Sequence, residues 1–204
     1  WQWGADVDGN CWRTTGDLGL SSSFMDIGLS NARHHEYAYP GRWNDPDYLL
    51  IGWVGDAHGM GEGQPTHLTA DQQYQYMSMW SLMAAPLIFS GDMTRLDEFT
   101  LNVLCNAEVI DVDQDPLGVQ GRIIREDRHH FVMVKPLEDG SLAVGLFNLS
   151  DYRPRTVTVT SQELGISGKH VVRDLWRQQD LGPFNGEFSA ELPVYGVRLI
   201  RISR

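Results

Sequence analysis

Cysteine is nearly absent: the 204 residues hold only Cys11 and Cys105. Two cysteines cannot build a disulfide framework, and these two have no metal-ligand spacing. Basic residues are also few, 16 Lys+Arg against 27 Asp+Glu, for a formal net charge of −11. That balance argues against nucleic acid as a partner, because nucleic-acid binders carry a basic stripe for the phosphate backbone. No apolar run reaches the ~20 residues that span a bilayer. The sequence contains no P-loop, no dinucleotide fingerprint and no Gly-x-Ser-x-Gly elbow. It also has neither an initiator Met nor a signal peptide, starting Trp1-Gln2-Trp3-Gly4. Such a start reads as a processed, trimmed or truncated chain, and no residue in it assigns a compartment.

What is present is the composition of a folded chain: 42% hydrophobic and 21% charged residues, unlike a disordered segment. Tryptophan is abundant, and four of the seven fall within the first 43 residues.

The pattern changes near residue 117. Residues 1–117 mix Gly-rich loops, apolar runs and a clear helix, expected over 69–85. Thr69 suits its N-cap, Asp71 suits its positive N-terminus, and Pro86 stops it. Tyr76, Met79, Trp80 and Met83 recur at helical period, most simply as helix core. Further helices are expected over 97–105 and 106–109. Strands are expected over 11–17, 47–52 and 87–92. Strands alternating with loop-helix segments point to a parallel sheet. A complete (β/α)₈ barrel takes about 250 residues, so three or so βα units, the C-terminal portion of a barrel, would fit in 1–117. Residues 118–204 read as short strands with a hairpin signal at Glu138-Asp139-Gly140-Ser141. That pattern is an antiparallel β-sandwich of roughly seven or eight strands. The fold expected is therefore α/β then all-β, divided at Asp115-Pro116-Leu117-Gly118.

Arg13, Thr15 and Asp17 share one face if their segment is a strand. Residues at the C-terminal ends of barrel strands line the active face. A carboxylate at Asp17, with Arg13 beside it, suits general acid/base work. A structural Arg–Asp pair or a turn aspartate fits the same spacing. In Trp43-Asn44-Asp45-Pro46-Asp47, two carboxylates flank a stiff proline beside a tryptophan, an arrangement suited to a sugar. Asp45 reads more simply as an Asx-type turn, which leaves Asp47 as the functional candidate. The pairs His34-His35 and His129-His130 read as solvated surface. Residues 111–115 resemble the start of a calcium loop, but Pro116 stands where glycine is needed and the twelfth-position Glu is missing. Asn148-Leu149-Ser150 is a sequon that falls partly inside an expected strand. No metal or cofactor is implied.

These residues resemble glycoside hydrolase family 27, the α-galactosidase family. Gly9-Asn10-Cys11-Trp12-Arg13-Thr14-Thr15-Gly16-Asp17 is similar to the family's GN-x-WRTT-[GD]-D stretch. Trp43-Asn44-Asp45-Pro46-Asp47 is similar to its WNDPDML stretch, with Tyr48 in place of Met. Leu82-Met83-Ala84-Ala85-Pro86-Leu87 resembles its helix-to-strand junction. Residues 108–118 resemble its EVI-x-x-[ND]QDPLG stretch, and the Gly-rich loop 52–66 looks like that of bacterial members. The resemblance covers the whole chain, strongly to about Gly121 and more loosely through the β-sandwich.

The resemblance implies a retaining glycosidase that releases terminal α-linked galactose from an oligosaccharide or a polysaccharide side chain. It also implies a barrel followed by an antiparallel β-domain. Asp17 corresponds to the acid/base and Arg13 to a residue contacting the sugar near its 2-hydroxyl. Asp47 corresponds to an acid lining the pocket, and Tyr48 takes the place of an apolar wall residue. Trp1 and Trp3 fall in the loop near the substrate entrance. The family's nucleophile, an Asp at the end of the fourth strand, is expected upstream of Trp1, so these residues alone are expected to be inactive. Relatives act on α-N-acetylgalactosamine, β-L-arabinopyranose or isomaltose units, and a non-catalytic carbohydrate-binding fragment is the reading from a different class. A secreted or periplasmic home suits a galactoside hydrolase.

Overall fold

The structure is a computed structural model, described here for residues 1–19, 23–55 and 61–204. The Gly- and Ser-rich loop 19–23 and the Gly-rich loop 52–66 therefore lie partly outside the described residues.

The first part is built from short parallel pieces and helices. β1 (Cys11–Arg13) leads to α1 (Phe24–Ala32), and β2 (Trp43–Asp45) then lies parallel to β1, with Cys11 opposite Trp43 and Arg13 opposite Asp45. A small antiparallel pair, β3 (Trp53–Val54) and β4 (Gln64–Pro65), precedes α2 (Ala70–Leu82). The chain then returns beside the sheet, where Leu49 and Phe89 form a single parallel bridge. α3 (Glu98–Leu104) and α4 (Ala107–Asp113) close this part.

α2 starts where the sequence places it. Thr69 accepts the Gln72 amide while the Gln72 side chain returns to the Thr69 amide, a complete capping box. α4 runs further than the four residues expected. Asn106 caps it by accepting from the Glu108 and Val109 amides, and Val109 and Val112 bury its inner face.

None of the three expected strands keeps its expected bounds. Residues 11–17 are extended only through Arg13, because the chain bends at Thr15 and Gly16. The expectation that Arg13, Thr15 and Asp17 share a strand face is thus wrong. Asp17 reaches Arg13 through the bend. Residues 47–52 and 87–92 contribute one bridge rather than strands. Asp47 has φ 89°, which breaks extension at the start of the apolar run. The strand proper is Trp43–Asp45, so Asp45 ends it and Asp47 follows it.

The second part has eight strands: β5 (Arg122–Glu126), β6 (His130–Pro136), β7 (Leu142–Asn148), β8 (Arg155–Thr160), then α5 (Ser161–Leu164), β9 (His170–Asp174), β10 (Gln179–Phe184), β11 (Glu187–Leu192) and β12 (Val197–Ser203). Six form one antiparallel sheet in the order β10-β9-β12-β7-β6-β5, and β11 and β8 form the facing pair. The hairpin expected at 138–141 joins β6 to β7, with Pro136 opposite Leu142.

The central strands are buried on both faces, which is why they read as continuous apolar runs. Phe131, Met133, Ala143, Phe147 and Leu199 belong to the core that also holds Tyr76, Trp80 and Leu82. Val132, Val134, Val144, Leu146, Ile200 and Ile202 fill the sandwich interior. Gly145 allows α2 to approach, since a Cβ there would lie 2.6 Å from Leu82 Cδ1 and 2.4 Å from Phe147. One hydrophobic core therefore fixes the helices behind β1 and β2 against the six-stranded sheet.

Candidate active site

Register places Arg13 and Asp45 side by side at the C-terminal ends of β1 and β2. Hydrogen bonds behind them hold these ends in place. Trp12 Nε1 donates to Asn44 Oδ1 at 2.8 Å. Asn44 Nδ2 donates to the His34 carbonyl and to Gln120 Oε1, and Gln120 Nε2 reaches the Asn31 carbonyl. Thr14 Oγ1 donates to Asn31 Oδ1.

Past the strand ends, Arg13 becomes the hub. One nitrogen, Nη2, donates to the Gly16 carbonyl at 2.8 Å and lies 3.0 Å from Asp47 Oδ2. The other, Nη1, lies 3.4 Å from Asp17 Oδ1. The two carboxyls differ sharply in environment. The Asp17 side chain is 90% exposed, whereas that of Asp47 is 4% exposed. Asp47 also accepts from the Leu18 amide at 2.8 Å and from the Tyr48 amide at 2.9 Å. Three fixed donors thus engage the Asp47 carboxylate, which holds it in place and leaves about one of its four lone-pair sites for a ligand hydroxyl. Asp17 retains a carboxyl open to a reacting group, with a cation beside it. That arrangement can deliver and recover a proton at the mouth of the site.

Asp45 takes the turn role read for it, as its Oδ1 accepts the Asp47 amide at 2.7 Å. Tyr48 is half-buried next to this cluster. Burial pushes its phenol above the usual range, the Asp47 and Asp17 charges add to that, and Arg13 opposes them. The loop carrying Asp47 and Tyr48 is held from behind by α2. Tyr76 Oη donates to the Tyr48 carbonyl at 2.6 Å and Trp80 Nε1 to the Asp47 carbonyl at 2.8 Å.

Three readings of aromatic and histidine residues change. Trp43 starts β2, at the end remote from Asp47. It lines a separate cavity of about 420 Å³ with Pro40, Pro86, Leu87 and Pro116, so it does not stand beside the carboxylates as a sugar platform. His34 is not simply solvated surface, because Trp1 stacks on it with centroids 4.1 Å apart. Burial lowers the His34 pKa. His130 is also engaged, with Nδ1 3.1 Å from Asp127. Trp3 is 67% exposed beside the turn Gly4–Val7. Among the described residues, no hydrogen bond or ring contact joins it to Arg13, Asp17 or Asp47.

No group of three or more His, Cys, Asp or Glu is gathered to hold a metal ion among the described residues. Cys11 and Cys105 are both free and exposed. No described helix is long and apolar enough to cross a membrane.

Acidic side chains joined by an arginine at or just past the C-terminal ends of neighbouring parallel strands are placed where a (β/α)₈ barrel carries its site. Comparison with known proteins makes this particular. The family model described as alpha galactosidase A matches residues 9–115. The model described as the alpha galactosidase C-terminal beta sandwich domain matches residues 127–202. An alpha-galactosidase of Cyamopsis tetragonoloba is 36% identical over 194 residues, covering 94% of this chain and 44% of the relative. Alpha-galactosidase 2 of Arabidopsis thaliana is 32% identical over 205 residues, covering 99% of this chain and 48% of the relative. The crystal structure of a GH27 β-L-arabinopyranosidase from Geobacillus stearothermophilus superposes with a TM-score of 0.88 at 29% identity, covering 98% of this chain and 47% of that one. The chain belongs to glycoside hydrolase family 27, the α-galactosidase family, and corresponds to the C-terminal part of its members. It spans about half the length of the relatives it matches.

Proposed function

We propose that this chain forms the acid/base-bearing half of a retaining glycosidase that releases terminal α-linked galactose. The observation that carries the reading is the Arg13 bridge between an exposed Asp17 and a buried Asp47. Residues 1–117 supply the last three or so βα units of the barrel, and residues 118–204 the sandwich that backs them. The division is supported by the end of α4 at Asp113 and the start of β5 at Arg122.

In the first step, Asp17 donates its proton to the glycosidic oxygen as the C1–O bond breaks. A carboxylate nucleophile on barrel strands outside these 204 residues takes the anomeric carbon. In the second step, Asp17, now ionised, removes a proton from water, which attacks C1 as the bond from C1 to the nucleophile carboxylate breaks, releasing galactose and the free carboxylate. Arg13 and Asp47 contact the sugar hydroxyls, Tyr48 forms a polar wall, and Trp3 stands at the entrance. The substrate is an oligosaccharide or a polysaccharide side chain, and no cofactor takes part.

The similarity to a β-L-arabinopyranosidase supports a second reading, in which the same machinery accepts a pyranose without the hydroxymethyl arm. The test is hydrolysis by the complete enzyme of 4-nitrophenyl α-D-galactopyranoside, β-L-arabinopyranoside and α-N-acetylgalactosaminide. The galactoside is expected to have the highest kcat/KM. Preference for the arabinoside would move the assignment to the second reading. Tight binding of galactose without turnover of any of the three would support a non-catalytic sugar-binding role.

A further inference from the structure

Tyr76 and Trp80 lie one turn apart on α2, and both are fully buried. Helical periodicity explains their burial but not their polar atoms. Those atoms point to the same place: Tyr76 Oη holds the carbonyl of Tyr48 and Trp80 Nε1 that of Asp47. One helix face thus grips two successive carbonyls of the loop that follows β2.

That loop is the part of the site that requires holding. Asp47 has a φ of 89°, a region that side-chain-bearing residues rarely occupy and that persists only when its surroundings enforce it. The gripping rings are themselves fixed. Tyr76 and Trp80 meet edge to face at 4.4 Å, and Phe24 stacks on Tyr76 at 4.6 Å. Phe24 comes from α1, so helices α1 and α2 both bear on the loop. From the front, Arg13 and the Leu18 amide hold the Asp47 carboxyl.

We propose that Tyr76 and Trp80 are positioning residues of the sugar site, whose paired hydrogen bonds keep the Asp47–Tyr48 backbone in the conformation that seats the Asp47 carboxyl on Arg13. The inference rests on the reading of Asp47 as a sugar-binding residue. Neither ring reaches substrate, and both act through the loop.

The test uses steady-state kinetics on the complete enzyme. Tyr76→Phe removes one oxygen and keeps the ring packing. KM for an α-galactoside is expected to rise about tenfold, the cost of one buried hydrogen bond, with a much smaller change in kcat. Trp80→Phe is expected to act in the same direction. In an Asp47→Asn background, Tyr76→Phe is expected to raise KM no further, because both changes disable the same contact. An unchanged KM with a lowered melting temperature would reduce the two bonds to fold stabilisation and overturn the proposal. Additive effects in the double variant would do the same. An unsubstituted enzyme that hydrolyses no glycoside would overturn the proposed function instead. A crystal structure of the Tyr76→Phe protein then decides the inference separately. A displaced Asp47 carboxyl supports it, and an unchanged Arg13–Asp47 contact overturns it.

Discussion

Arg13 Nη2 lies 3.0 Å from Asp47 Oδ2, tying a strand-end cation to a carboxyl whose side chain is 4% exposed. The same guanidinium reaches Asp17, which is 90% exposed. The two contacts differ in energy because one carboxyl has lost its water and the other has not.

Removing one partner of a fully buried ion pair costs about 3–5 kcal/mol. The Arg13 side chain is 35% exposed, and Asp47 keeps two backbone N–H donors. Arg13→Leu is therefore expected to lower unfolding free energy by about 2 kcal/mol. Asp17→Asn is expected to stay within about 0.5 kcal/mol, as for surface positions generally. Urea unfolding of both variants checks this, and equal losses would contradict the assigned environments.

A second set of buried charges, Lys135 and Asp113, is expected to shape stability around neutral pH. Lys135 on β6 and Asp113 at the end of α4 are buried, and neither Lys135 Nζ nor Asp113 Oδ1 has a hydrogen-bond partner among the described residues. Burial pushes the Asp113 carboxyl up to about 7, with Gln114 and Lys135 opposing. Burial pulls the Lys135 ammonium down to about 8, with Asp113 and Asp115 opposing. For Asp113 the folded state binds protons more tightly, so stability falls as pH rises from about 4 to 7. For Lys135 the unfolded state binds them more tightly, so stability rises with pH from about 8 towards 10.5. The urea midpoint is expected to pass through a minimum between about pH 7 and 8. Asp113→Asn is expected to flatten the acid limb and Lys135→Met the alkaline limb. A midpoint maximum at pH 7.5 would contradict the signs given.

The sequon residue Asn148 is fully buried. Its Nδ2 donates towards the carbonyls of Arg153, Leu192 and Pro193, and its Oδ1 accepts the Ser150 amide. Secretion from a glycosylating host is expected to leave it unmodified, as read by intact mass. Asn148→Asp would set a carboxylate against carbonyl oxygens, and a loss of about 3 kcal/mol is expected. An efficiently glycosylated, folded product would contradict this placement.

How much of this was legible in the sequence depended on what each signal reports. Arg13, Asp17 and Asp47 stood out through residue type, spacing and family motif. The capping box of α2 and the turn role of Asp45 were legible because each is local. α1 was not placed. Gly28 and Asn31 weaken its helical signal, and their reason is tertiary, since a Cβ on Gly28 would lie 2.7 Å from Met79 Sδ. The roles of Tyr76 and Trp80 were hidden for a related reason. Periodicity tells which face of a helix is buried, but not which carbonyl a buried Oη or Nε1 will meet. The runs at 47–52 and 87–92 were apolar enough to suggest strands, yet the left-handed Asp47 bends the first away from extension. Trp43 reads as a neighbour of the carboxylates, but it lines a separate cavity, because neighbours in sequence at a strand end need not face one site.

The central claim is that Asp17 is the acid/base, and leaving-group dependence tests it most directly. In the complete enzyme, Asp17→Ala is expected to lower kcat/KM by about 10³-fold for an alkyl or disaccharide α-galactoside, whose leaving oxygen needs a proton. For 4-nitrophenyl α-galactoside, which needs little protonation, the loss in kcat/KM is expected to stay within about tenfold. Equal, slight losses on both substrates would contradict the role.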